Sequence, residues 1–119
     1  MNGYAVVLKS GSEDLATAAH GFQIGRDLDR RGNRASIYLC GSAVKLPGEL
    51  SRRRAHPMSE IYSEVEDRGL VAGACLLCVR AHGAAEDCEH AGIELLGSGE
   101  EHAPDAGLLA EEELQILTV

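Results

Sequence analysis

The order in which apolar runs and helical stretches follow one another constrains this chain more than any other feature. Residues 4–9, YAVVLK, are apolar and β-branched and end at Ser10-Gly11-Ser12, so they predict a buried strand closed by a turn. Ser12 then reads as an N-cap, with Glu13 and Asp14 in a first turn where the helix dipole favours acids. The helix should run to about residue 31. Leu15, Ala18, Ala19, Phe22, Gly25 and Leu28 recur at helical spacing on its inner face, and Gly32-Asn33 stops it. Residues 35–40, ASIYLC, form a second strand, closed by Gly41-Ser42. A short helical turn over 43–46 should be broken by Pro47-Gly48. A helix over 57–68 starts at Pro57 and ends at Gly69. Residues 70–74, LVAGA, give a third strand, and a helix begins at about Cys75. Residues 93–96 form a fourth strand, 106–112 a weak helix and 114–119 a terminal strand.

Strands alternating with helices build a parallel sheet flanked by helices, and strands buried on both faces read as continuous apolar runs. The expectation is an α/β fold, a mostly parallel open sheet of about five strands in one domain over residues 1–119. With aromatics at 3% and one phenylalanine, Phe22, the core must be aliphatic. No internal repeat interrupts this order.

A formal charge of −8 argues against a nucleic-acid partner, which needs a basic footprint. The one basic cluster, Arg52-Arg53-Arg54, lacks interleaved aromatics and reads as a solvated loop, with an anion contact as the minor alternative. No apolar run reaches the length of a membrane span, and Met1 is not followed by a signal segment. These features predict a cytoplasmic protein whose four cysteines, Cys40, Cys75, Cys78 and Cys88, are reduced thiols.

Ligands and chemistry gather beyond the carboxyl ends of parallel strands. Three loops should arrive there: Ser10-Gly11-Ser12, Cys40-Gly41-Ser42 and the stretch from Cys75 onward. Cys75 at a strand exit and Cys78 in the first helical turn would meet free amides and a positive dipole end, which favour thiolate; Arg80 and His82 add positive charge nearby. Thiolate is the nucleophilic form of cysteine, so the pair is the candidate catalytic site.

Other chemistries stay open. Cysteine often only fills space beside small residues such as Gly73 and Ala74, and this is the favoured reading of Cys40 and Cys88. Zinc would use Cys75, Cys78 and His82, with Cys88 or His90 as a fourth ligand, but only one well-spaced ligand pair exists. A thioredoxin-type dithiol normally carries flanking tryptophan and an internal proline, both absent here. No P-loop is present, and the aromatics that sandwich a flavin are missing, so no metal or organic cofactor is expected. His20 falls in the first helix, whereas His56, His90 and His102 fall in loops, where exposure is the default.

In sequence the chain resembles the DsrE/DsrF-like family of sulfur-relay proteins and their small stand-alone relatives, over nearly its whole length. YAVVLKSGSED resembles the family's opening strand and Ser/Gly loop. The run from Ala18 to Leu46 is similar to its first helix and second strand, and GLVAGACLLCVRAHG to its Cys-x-x-Cys-x-x-x-Arg-Gly signature. In that signature Cys75 stands at the sulfur-bearing cysteine, Cys78 at the second cysteine and Gly83 at the glycine. His82 occupies the usual arginine position, with Arg80 as a substitute. The resemblance implies a three-layer α/β sandwich, flavodoxin-like, and assembly as a homo-oligomer (dimer, trimer or hexamer). It also implies a persulfide carried on Cys75 between donor and acceptor proteins. Ser10, Gly11, Cys40 and Gly41, on the loops expected at the carboxyl edge, should line the mouth of such a site. The alternative is a non-enzymatic oligomeric binding module with structural thiols.

Overall fold

The apolar runs become five strands: β1 (Gly3–Leu8), β2 (Arg34–Leu39), β3 (Val71–Cys75), β4 (Leu95–Leu96) and β5 (Leu114–Thr118). The computed structural model describes residues 2–53 and 55–119, so Arg54 of the arginine triplet lies outside the described residues. The strands lie in the order β4-β3-β2-β1-β5, and every neighbouring pair is parallel. The helices among the described residues are α1 (Leu15–Arg30), α2 (Leu46–Arg52), α3 (Ser59–Asp67), α4 (Leu76–Ala81), α5 (Ala85–His90) and α6 (Ala106–Glu111). None is long and apolar enough to cross a membrane.

The two clusters that the strand side chains join assign the layers. Val6 and Leu8 of β1 and Ile37 and Leu39 of β2 are fully buried in one cluster with Ala18 and Phe22 of α1, Tyr62 and Val65 of α3, Val79 of α4 and Cys88 of α5. Phe22 meets Tyr62 edge to face, with ring centroids 5.4 Å apart. On the opposite face Ala5, Tyr38 and Leu114 form a smaller cluster with Leu109 of α6. Helices therefore cover both faces of the sheet, as an α/β sandwich requires, but one cover is much thicker than the other.

Several local expectations give way to specific contacts. Asp14, not Ser12, caps α1: its carboxylate accepts the Thr17 amide at 3.2 Å and the Thr17 hydroxyl at 2.7 Å. Ser12 lies instead in a 3-10 turn (Ser12–Asp14) and hydrogen-bonds Glu49. Leu15, expected on the inner face of α1, is 37% exposed, and Gly21 takes that side. Pro47-Gly48 does not break the chain but opens α2, because a proline in the first turn lacks only an amide hydrogen that would have no helical partner. Gly48 is needed there, since a Cβ would run into the Asp87 side chain of α5. Pro57 precedes α3 rather than starting it. His56 is buried rather than exposed, its Nδ1 accepting the Met58 amide at 3.1 Å. Arg52 of the basic triplet is tied to Asp87 at 2.7 Å.

The close seat of α1 on the sheet depends on Gly21 and Gly25. A Cβ on Gly25 would stand 2.6 Å from Cδ1 of the fully buried Ile37, and one on Gly21 2.8 Å from Cδ1 of Leu8. Overpacking of this kind costs about 1–3 kcal/mol. Gly25→Val is therefore expected to lower the stability measured by urea unfolding by about 2 kcal/mol, whereas valine at the exposed Gln23 should cost well under half of that.

Candidate thiol site

The site begins with the end of β3. Gly73 has no room for a side chain, because a Cβ would meet Leu96 Cδ1 at 2.7 Å and the Glu94 carbonyl oxygen at 2.9 Å. That close approach holds β4 against β3 at its last two positions, where Ala74 pairs with Leu95 and Cys75 with Leu96. Cys75 is thus the final strand residue and the N-cap of α4, and Cys78 follows one turn into that helix. Both thiols are where the sequence places them. They are also buried, Cys75 completely and Cys78 to 5% exposure.

What covers them follows from the strand order. After β4, at one side of the sheet, the chain must reach β5 at the opposite side. The segment 97–105 makes this crossing over the carboxyl ends of the strands and delivers the chain to α6 on the thinner face. On the way it lays His102 and Ala103 against the cysteines. The Ala103 amide donates to Cys75 Sγ at 3.2 Å, and Cys40 Sγ at the end of β2 donates to the Ala103 carbonyl at 3.2 Å. His102 Nδ1 lies 3.9 Å from Cys75 Sγ and 3.5 Å from Cys78 Sγ. These three donor atoms all fall within 4.8 Å of one another.

A cavity of about 480 Å³ opens beside this cluster. Cys40, Gly41, Cys78, His102, Ala103 and Pro104 line one side of it, and Val7, Leu109 and Ile116 give the other an apolar wall. Cys78 faces the cavity; Cys75 sits behind it and does not line the wall. The expected mouth residues Ser10 and Gly11 stand apart from it. Gly11 belongs to a neighbouring contact, its amide donating to Ser42 Oγ at 3.0 Å. Only Cys40 and Gly41 of the four expected mouth residues reach the cavity.

Arg80 and His82 do not serve the thiols. The Arg80 guanidinium lies over Gly99, and His82 is the exposed C-cap of α4. Seven residues of helix rise about 10 Å, so His82 sits at the far end of α4 from Cys75. The metal set expected from spacing fails with it: Cys88 is buried in α5 with its Sγ donating to the Val44 carbonyl at 3.4 Å, and His90 is exposed at the end of that helix rather than in a loop. His102, which spacing gave no reason to choose, is the histidine at the site. Its signal is topological rather than local.

The electrostatics divide the thiols. Burial alone would raise Cys75, but the amides of Ala103 and Cys78, the His102 ring and the Cys78 thiol outweigh it and bring Cys75 down to about 7. α4 is only six residues long, so fixed hydrogen bonds rather than a long-helix dipole account for this. Cys78 moves the other way, raised by burial and by the neighbouring Cys75. Cys40 is pushed up to about 12 by burial first and then by Cys75 and Cys78, with Lys9 opposing weakly. The site therefore holds one proton loosely and two tightly.

The fold and site together define a class, a parallel α/β sandwich with a thiol pair at its carboxyl edge. The comparison supports the architecture. A conserved protein of unknown function from Bacteroides thetaiotaomicron superposes with a TM-score of 0.60 at 17% identity, covering 98% of this chain and 94% of its own. At that identity the likeness concerns the fold alone. No family model matches the chain, and neither does any curated protein.

The thiolate absorbance of the folded protein should rise with pH through about 7, a first step assigned to Cys75, because the sulfur is protonated below that value and ionised above it. Among the groups facing it, Cys78, Cys40 and His102, only the ring can be replaced without removing a thiol. His102→Ala should move the first midpoint upward; an unmoved midpoint in a pH titration counts against the assigned cause.

Proposed function

We propose that this protein is a cysteine-based sulfur carrier of the DsrE/DsrF-like kind, working in the cytoplasm as a homo-oligomer, with Cys75 as the sulfur-bearing residue. The observation that carries the reading is the geometry around Cys75 Sγ: a fixed amide from Ala103, a second thiol and an imidazole around one buried sulfur, beside an open cavity. That the cysteines are all free fits a thiol kept ready for exchange.

The transfer balances without an outside oxidant. The Cys75 thiolate attacks the terminal sulfur of a donor persulfide, R–S–SH, forming a Cys75–S–SH bond and expelling the donor as thiolate, R–S⁻. An acceptor thiolate then attacks the outer sulfur, takes it as its own persulfide and returns Cys75 to thiolate. In a side path, the Cys78 thiolate attacks the inner sulfur, closing a Cys75–Cys78 disulfide and releasing hydrosulfide; the sulfane sulfur is reduced as the dithiol is oxidised. The donor enters through the cavity past Cys78, with the exposed His102 ring turning aside to reach the deeper sulfur. The Ala103 amide holds charge on Cys75 both before attack and after release.

The complete burial of Cys75 favours a second reading, in which the thiols are packing residues of a binding module. One experiment separates the two. After exposure to glutathione persulfide, intact-mass analysis should find one added sulfur on the parent chain and on Cys88→Ser, and none on Cys75→Ser. Cys78→Ser should load fully yet release little hydrosulfide. Full loading of Cys75→Ser would refute the assignment, and failure of the parent to load would favour packing.

A further inference from the structure

We propose that Cys75, Cys78 and His102 form a zinc site with an open coordination position, independent of whether the protein carries sulfur. Tetrahedral zinc with Zn–S of about 2.3 Å and Zn–N of about 2.0 Å separates its donor atoms by about 3.5–3.8 Å. The His102 Nδ1 distances, 3.5 Å to Cys78 Sγ and 3.9 Å to Cys75 Sγ, bracket that spacing. All three donors lie within 4.8 Å of one another, about 1 Å wider at most than the tetrahedral spacing.

The donors choose the metal. Two thiolates and an imidazole suit zinc, whereas magnesium and calcium require oxygen ligands. Three protein ligands among the described residues also distinguish this set from a closed structural site, in which four are normal. The fourth position is left to water or to a small molecule, and Cys78 and His102 both line the cavity through which either would arrive. The surroundings hold the ligands as well. The Ala103 amide on Cys75 Sγ is the kind of outer hydrogen bond that orients a ligating thiolate, and the Cys40 thiol holds the same residue through its carbonyl. Cys40 stands outside the donor set.

Occupancy has a consequence at this position. A zinc ion bound to both sulfurs takes the lone pairs that an attack on a sulfur donor would use. Zinc and a persulfide donor therefore compete for the same atoms, and zinc acts as a brake on any thiol chemistry there.

The test needs no sulfur donor. The reduced, metal-free chain is titrated with zinc against a chromophoric chelator, and with cobalt(II), whose thiolate charge-transfer band reports sulfur coordination. The expected result is one ion per chain, the cobalt band present, and excess magnesium without effect. His102→Ala, a change at an exposed loop residue that should leave the fold intact, is expected to weaken binding at least about 100-fold, as are Cys75→Ser and Cys78→Ser. Cys88→Ser should bind like the parent. No uptake by the parent, or uptake that His102→Ala leaves unchanged, overturns the proposal. Sulfur loading measured in the presence of chelator is read separately, so loss of one function leaves the other standing.

Discussion

A sheet in which every strand runs the same way has one carboxyl edge, and everything chemical in this protein follows from that constraint. The ends of β1, β2 and β3 open onto the same rim, bringing the loop after Lys9, Cys40-Gly41 and Cys75 together. The two inner loops pack so closely that a Cβ on Gly41, at φ +51°, would stand 2.7 Å from the Lys9 carbonyl oxygen. A residue with a side chain would be strained there by conformation and by contact alike. The rim is therefore built from backbone, and the thiols project from a rigid support.

The rim becomes a site only when the chain crosses it. One residue, Ala103, carries the connection: its amide is taken by one sulfur and its carbonyl by another. Each bond is modest alone, about 1 kcal/mol, but together they fix both the height and the tilt of the crossing segment. That fixation places the His102 ring beside both thiols. The two sulfurs also part company: the Ala103 amide helps to acidify Cys75, whereas burial first, and then Cys75 and Cys78, keep Cys40 protonated. The carriage and the metal binding proposed above are thus two uses of one arrangement of donors.

The strands were legible because burial on both faces leaves β1 and β3 as unbroken apolar runs, and Cys75 was legible because it ends one of them. The helix α5 was not, since AEDCEH buries little beyond Cys88 and offers no apolar stripe. Arg80 and His82 were assigned to the site by their nearness in sequence, yet a helix carries residues away from its start as fast as it adds them. His102 was hidden for the opposite reason. It lies 24 residues from Cys78 in the chain, and only the order of the strands, which no local pattern encodes, brings the two together. Asp14 in place of Ser12 as the cap of α1 is a smaller case of the same kind, decided by the pull of Glu49 on the serine hydroxyl.

The pairing of β1 with β5 joins Gly3 to Leu114, nearly the full span of the polypeptide. Contacts so distant in sequence are slow to close, because the loop entropy is lost before the ladder bonds repay it. On a ribosome β1 emerges well before β5, and one of its two flanks stays open until β5 has been made. The ladder positions of β1 that face β5 lack a partner until then, so the interval before closure is when this chain is most open to pairing with a neighbour of its own kind.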